Sequence, residues 1–243
     1  MNLSSSTILI TGGASGIGLG LAERFAKLGS KVIVCGRRED VLAEVKKKGF
    51  ETIRADVGKE SDRVALAKEA IERFPGLNVL VNNAGVQRRW GFADDTTSWK
   101  EREEEIAINF AAPVHLTTLF VPHLAKQKDA AIVNVTSGLA FVPGVFAPVY
   151  CATKAAMHSL SVTLRYDLKK KSIEVIEIVP PMVNTDLGGK GLHDEGVPLA
   201  EFADAMIEGL KRGETEIGYG FSEKARNASR AELDAISARM AQR

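Results

Sequence analysis

The chain has 243 residues, with 32 Lys and Arg against 31 Asp and Glu, for a formal net charge of +1. That balance excludes the basic footprint of a dedicated nucleic-acid or acidic-membrane binder. With 45% hydrophobic and 26% charged residues, a disordered chain is excluded as well.

In chain order, short apolar runs rich in Val and Ile alternate with longer amphipathic stretches. Strands are expected at Thr7–Thr11, Lys31–Gly36, Glu51–Ala55, Leu77–Asn82, Ala130–Thr136 and Ile173–Val179. Their nearly continuous apolarity fits strands covered on both faces. Helical patterns fall near 16–28, 39–48, 60–73, 99–126 and 149–171, with Leu21, Phe25 and Leu28 marking one apolar face. The alternation implies right-handed crossovers and a Rossmann-type α/β fold, a doubly wound parallel sheet with helices on both faces. No Pro-, Gly- or Ser-rich linker divides it, so residues 1–243 are expected to form one domain. After Thr185 the rhythm breaks into a polar, Gly-rich loop at about 186–200. A helix near 199–212, a short strand at Thr215–Gly218 and a charged helical tail over about 226–243 follow. The two cysteines, Cys35 and Cys151, suit a reducing compartment, and Met1–Ser6 lacks a basic leader segment, so a cytoplasmic protein is expected.

The run Thr11-Gly12-Gly13-Ala14-Ser15-Gly16-Ile17-Gly18 joins the first strand to the first helix. Glycines there permit a tight turn and let backbone N–H groups approach an anion at the helix N-terminus. Gly12, Ser15, Gly16, Ile17 and Gly18 are therefore candidate phosphate contacts, although a plain glycine-rich turn would read the same way. The second strand ends Gly36-Arg37-Arg38, where a site specific for NAD usually places an acid on the ribose 2′-hydroxyl. Two cations ahead of a helix oppose its dipole. A bound 2′-phosphate explains them, so NADP is the expected cofactor with NAD as the alternative; solvated arginines offset by Glu39 and Asp40 are the other reading. Asp56-Val57 follow the third strand, where Asp56 would cap a helix or hydrogen-bond an adenine amine.

Further along stand Asn82-Asn83-Ala84-Gly85, Asn109, Ser137 and Tyr150-Cys151-Ala152-Thr153-Lys154. Tyr150 and Lys154, four apart on a helix, share a face, and an ammonium there would pull the phenol pKa down from its usual value near ~10. Ser137 falls at the C-terminal end of the fifth strand, where such sheets place ligands. Taken together with Thr11–Gly18, these motifs resemble, in order and spacing over about residues 7–186, the single-domain branch of the short-chain dehydrogenase/reductase family. The resemblance implies Tyr150 as proton donor or acceptor, Ser137 as positioner of the substrate oxygen, and Lys154 as modulator of Tyr150 and ligand of the nicotinamide ribose. It also implies Asn109 in a proton relay through water. Asn83, Ala84, Gly85, Pro180, Val183 and Thr185 would be further cofactor contacts.

The sequence departs from that family in two places. Pro181 stands where the family has glycine, and proline has a fixed φ and no N–H. The charged C-terminal helix replaces an Asp-Gly-Gly segment used in tetramer contacts. This ending resembles a subgroup of the family found with D-alanyl-lipoteichoic-acid genes. A homodimer through the helices at 99–126 and 149–171 is the implied assembly, with the tetramer in doubt.

Candidate substrate-wall residues are Gln87, Trp90, Phe92, Leu139, Phe141, Val142, Phe146 and Met182, a mostly apolar set that suits a hydrophobic carbonyl or secondary alcohol. Arg88 is a further wall candidate, and it and Arg89 read as solvated arginines or anion contacts; His193, in a Gly-rich loop, is the last wall candidate and reads as a surface residue rather than a catalyst. Cys151 reads as a packed helix cysteine. No His, Cys or Asp cluster has metal-ligand spacing. The expected protein is an NADP-preferring oxidoreductase; a non-catalytic NADP-binding sensor on the same fold is the rival.

Overall fold

The computed structural model describes residues 1–93 and 97–241. Strands β1 (Thr7–Thr11), β2 (Lys31–Gly36), β3 (Glu51–Arg54), β4 (Val79–Asn82), β5 (Ala131–Val135), β6 (Glu174–Val179) and β7 (Glu216–Gly218) form one parallel sheet in the order β3-β2-β1-β4-β5-β6-β7. The chain winds outward from β1 to β3, then returns to place β4 on the other side of β1. Ile8 consequently pairs with Val32 on one side and Val79 on the other. Such a reversal of winding direction opens a crevice at the carboxyl ends of the strands.

Helices α1 (Gly16–Lys27), α2 (Glu39–Lys47), α3 (Glu60–Arg73), α4 (Trp99–Ile106), α5 (Ala112–Leu124), α6 (Pro148–Asp167) and α7 (Leu199–Lys211) complete the layers. Side chains alternate across a strand, and here both faces are covered. Ile8 and Ile10 pack with Leu21, Phe25, Phe202 and Met206, whereas Leu9 packs on the other face with Ile33, Leu66, Leu80 and Phe120. The continuous apolar runs in the sequence are the direct record of this two-sided burial.

Three boundaries differ from the expected ones. The stretch 99–126 is two helices, α4 and α5, joined by a π-helical turn at Ala107–Ala111 that carries Asn109. β4 starts at Val79, and Asn78 just before it ties the strand's entry to its neighbours through its side chain, accepting from Thr7 N at 2.9 Å and donating to Lys128 O at 3.0 Å. The tail is likewise two helices, α8 (Phe221–Arg226) and α9 (Arg230–Met240). Asn227 Nδ2 donates to Glu223 O at 2.9 Å, and Ser229 restarts the chain with a capping box to Glu232. Residues 242 and 243 of the expected tail lie outside the described residues.

Candidate active site

The β1–α1 turn is shaped for close backbone approach. Gly12 has φ +64°, and a Cβ there would lie 2.9 Å from Ala84 Cα; one on Gly18 would lie 2.5 Å from both Asn83 Nδ2 and Gly12 O. Asn83 ties this turn to the end of β4, donating to Thr11 O (2.9 Å) and Gly12 O (3.2 Å). Ser15, extended at the N-cap of α1, makes no side-chain cap, and the first turn of the helix holds no acid. Uncapped N–H groups at the positive end of a helix dipole make an anion site. Gly12, Ser15, Gly16 and Ile17 line the cleft, whereas Gly18 lies buried behind them.

At the tip of β2, Arg37, Arg38, Arg54, Lys59, Asp56 and Asp62 surround a recess. Arg37 lies 3.7 Å from Glu104 and Arg54 3.0 Å from Glu39. Arg38 makes no ion pair among the described residues, and it shares the recess with the carboxylates of Asp56 and Asp62. Asp56 Oδ1 accepts from Gly58 N at 3.0 Å, closing its own turn, and Asp56 and Val57 both line the cleft.

Ser137, Tyr150 and Lys154 share one wall of the same cleft, which also includes Asn83, Ala84, Gly85, Pro180, Val183 and Thr185. The helical spacing does what the sequence promised, placing the Lys154 ammonium 5.6 Å from the centre of the Tyr150 ring. Burial pushes the Tyr150 phenol well above its usual range, opposed by a hydrogen bond to Ser137 and reinforced by Cys151 and the buried Glu105. Burial also draws Lys154 down to about 8, with Glu177 acting against that shift. The Lys154 Nζ donates to Val135 O at 2.8 Å. Burial thus favours the neutral form of the Tyr150 phenol.

Asn109 does not reach the cleft. Its Oδ1 accepts from Val86 N at 2.9 Å and its Nδ2 donates to Val86 O at 2.8 Å, which fastens the loop after β4 to the π turn.

The cleft measures about 1580 Å³, beyond the roughly 300–1,000 Å³ of an ordinary small-molecule pocket. That volume accommodates a dinucleotide and a substrate together. Gln87, Leu139, Phe146 and Met182 line it, as do Arg88 and Arg89. Trp90, Phe92 and Phe141 do not, correcting the expected wall. Trp90 sits against the guanidinium groups of Arg88 and Arg102 (5.1 and 5.9 Å), and Phe92 against Arg102 (4.4 Å). Phe141 turns away to stack on His158, centroids 4.5 Å apart, and Val142 is wholly buried. Of the two readings of His193, wall candidate and surface residue, the wall holds. The residue is 7% exposed and lines the cleft, because the Val183–Val197 bridge closes its loop inward. Arg88 is paired to Glu101 and Glu104, while Arg89 rests on the Phe146 ring at 5.2 Å. Cys151 is buried, packed against Gly144.

Two sets of residues escaped the sequence reading. From α8 and α9, Phe221, Ile236, Arg239 and Met240 line the cleft mouth; α9 buries no residue, so no apolar stripe advertises it. Behind the Tyr150 wall, potential ligand atoms of His158, Glu177 and Glu216 lie within 4.8 Å of one another. They come from three separate elements, so no spacing in the sequence unites them. These groups are engaged by protein partners: His158 and Thr136 on Glu177, and Arg165 and Arg226 near Glu216.

Comparison with known proteins agrees with this fold. Residues 6–196 match the family described as short chain dehydrogenase. DltE of Bacillus subtilis (strain 168), an uncharacterized oxidoreductase, is 49% identical over 247 residues, covering 99% of this chain and 98% of its own. A short-chain dehydrogenase from Sphingobium yanoikuyae, solved in complex with NADPH, superposes with a TM-score of 0.80 at 27% identity, covering 96% of this chain and 93% of its own. The 3-ketoacyl-(acyl-carrier-protein) reductase of Brucella melitensis, complexed with NADH, gives 0.81 at 26% identity, covering 91% of this chain and 100% of its own.

Proposed function

The chain belongs to the short-chain dehydrogenase family and is an oxidoreductase, and from that premise we propose that it uses NADP(H) to interconvert a carbonyl compound and its secondary alcohol, with Tyr150 as the acid/base. The observation that carries the proposal is one cleft with an uncapped, glycine-lined helix N-terminus at one end and the buried Ser137, Tyr150 and Lys154 at the other. When bound, a nicotinamide dinucleotide supplies or takes up the hydride. Gly12, Ser15, Gly16 and Ile17 would hold its phosphates, and Lys154, Val183 and Thr185 its nicotinamide half. Tyr150, whose neutral form burial favours, hands its phenolic proton to the substrate oxygen in the reductive direction, while the Ser137 hydroxyl positions that oxygen. Arg38, together with Arg37, supports NADP over NAD, because a guanidinium at the β2 recess with no ion pair among the described residues matches a 2′-phosphate. Leu139, Phe146 and Met182 favour an apolar substrate body. In this reading the chain acts as a homo-oligomer in the cytoplasm; among the described residues no helix is long and apolar enough to cross a membrane.

The test is turnover of a carbonyl panel with NADPH and NADH, followed by nicotinamide absorbance, for the wild type and Tyr150→Phe. Loss of the proton donor should lower kcat by about 10²–10⁴-fold with NADPH binding retained. Dinucleotide binding with no turnover of any carbonyl would overturn the enzyme reading in favour of a sensor.

A further inference from the structure

β6 carries an acid where its apolar pattern calls for none. Glu177 lies between Ile176 and Ile178 and is 0% exposed. Burying a carboxylate strips it of hydration that only specific partners can replace. Its partners are specific. Thr136 Oγ1 donates to Glu177 Oε1 at 2.7 Å, and His158 Nδ1 lies 2.9 and 3.1 Å from the two carboxylate oxygens.

Both partners lead to the catalytic wall. Thr136 immediately precedes Ser137. His158 follows Lys154 by four residues and Tyr150 by eight on α6, so the three side chains rise along one face of the helix. The His158 ring also carries Phe141, four residues after Ser137, at 4.5 Å. The pair therefore grips the chain on both sides of Ser137 and fastens that segment to the helix bearing Tyr150 and Lys154.

We propose that Glu177 and His158 are positioning residues for the hydride-transfer reaction, fixing Ser137 relative to Tyr150 and setting a negative charge behind the Lys154 ammonium. This rests on the oxidoreductase reading above and adds residues that do not touch the cleft. The charged surroundings are defined. Lys154 is faced by Glu177 and by the Tyr150 phenol. His158 is faced by Glu177, Glu216 and Arg165, and Glu216 in turn by Arg165 (3.9 Å) and Arg226 (3.6 Å). Glu177 is thus the acid acting on Lys154, and the direction of that effect is to keep the ammonium protonated.

The experiment uses the full chain and three variants. Glu177→Gln keeps the volume and an acceptor for Thr136 but removes the charge; His158→Leu removes the grip; His158→Gln keeps a side-chain donor. Expected for Glu177→Gln is an alkaline limb of the kcat–pH profile moved to lower pH by about half a unit or more, with the KM for NADPH within threefold of wild type. His158→Leu should lose about tenfold or more in kcat from misalignment, and His158→Gln should recover part of it. Should His158→Leu fail to fold, Glu177→Gln carries the decision. A readout independent of turnover is the 13Cε resonance of Lys154, assigned by its loss in Lys154→Met, which should titrate at lower pH in Glu177→Gln. An unshifted Lys154 titration together with kcat–pH profiles superimposable on wild type would overturn the proposal while leaving the oxidoreductase reading intact. Wild-type chain inert on every carbonyl would instead remove that reading, and the Lys154 titration would still decide whether Glu177 acts on the ammonium.

Discussion

Gly18 is a position where two physical effects oppose each other and the structure says which wins. In the first turn of α1, alanine in place of glycine gains up to about 1 kcal/mol in helix propensity. The added Cβ, however, would come within 2.5 Å of both Asn83 Nδ2 and Gly12 O, and 3.0 Å of Gly12 C. Such overpacking costs roughly 1–3 kcal/mol. Displacing Asn83 also strains its bonds to Thr11 O and Gly12 O, each with a net worth of about 0.5–1.5 kcal/mol. Gly18→Ala should therefore be destabilised by about 1–3 kcal/mol, which lowers Tm by roughly 2–4 °C per kcal/mol in a chain of this size. The moved backbone is the turn proposed to hold the dinucleotide phosphates, so NADPH affinity should fall about tenfold or more. Thermal unfolding and fluorescence titration measure the two effects. Gly76→Ala is the control: nothing lies within 4 Å of a Cβ there, and its Tm should stay within about 2 °C, the equivalent of about half a kcal/mol. A Gly18→Ala chain as stable as wild type and binding NADPH equally well would refute the packing argument.

Arg38→Ala should weaken NADPH binding by about 10–150-fold, the loss of one hydrogen bond to a charged group at roughly 1.5–3 kcal/mol, with NADH affinity within threefold; equal losses for both would place no 2′-phosphate at β2. The Glu177 hydrogen bond raises the His158 pKa above its ordinary value. The stability it gives is then fully present below the unfolded histidine pKa and fades as pH rises through the folded one. The gap in denaturation free energy between wild type and His158→Gln should accordingly be widest near pH 6 and narrow in alkali, and a gap independent of pH would show that the imidazolium contributes nothing. Cys35, pushed up to about 12 by burial, and the buried Cys151 should both resist a thiol reagent in the native protein and react after denaturation. Stoichiometric native labelling would contradict their packing.

The sheet was legible because its information is local and periodic. Two-sided burial writes Ile8-Leu9-Ile10 and Val32-Ile33-Val34 as unbroken apolar runs, and the glycines of 12–18 mark the turn between a strand and a helix. The Tyr150–Lys154 pair was legible for the same reason, being one helical turn apart. What the sequence hid is what depends on three-dimensional company. The upward push on the Tyr150 phenol comes from burial that no spacing reports. The outward turn of Phe141 needs His158, and the inward turn of His193 needs the Val183–Val197 bridge. The Glu177 network joins β5, β6 and α6 across 41 residues of chain between Thr136 and its carboxylate.

The last helix bears on how such an enzyme changes over evolutionary time. α9 is held as a helix by its own short-range devices, the Ser229–Glu232 capping box and the Arg230–Asp234 pair at 3.0 Å, and it buries nothing. Yet Ile236, Arg239 and Met240 look into the cleft mouth. Replacing those three side chains removes no core contact, so such replacements draw little on the narrow stability margin that limits most mutations near an active site. New substrate preferences can therefore accumulate on this segment while the sheet and the wall that carries Ser137, Tyr150 and Lys154 stay as they are.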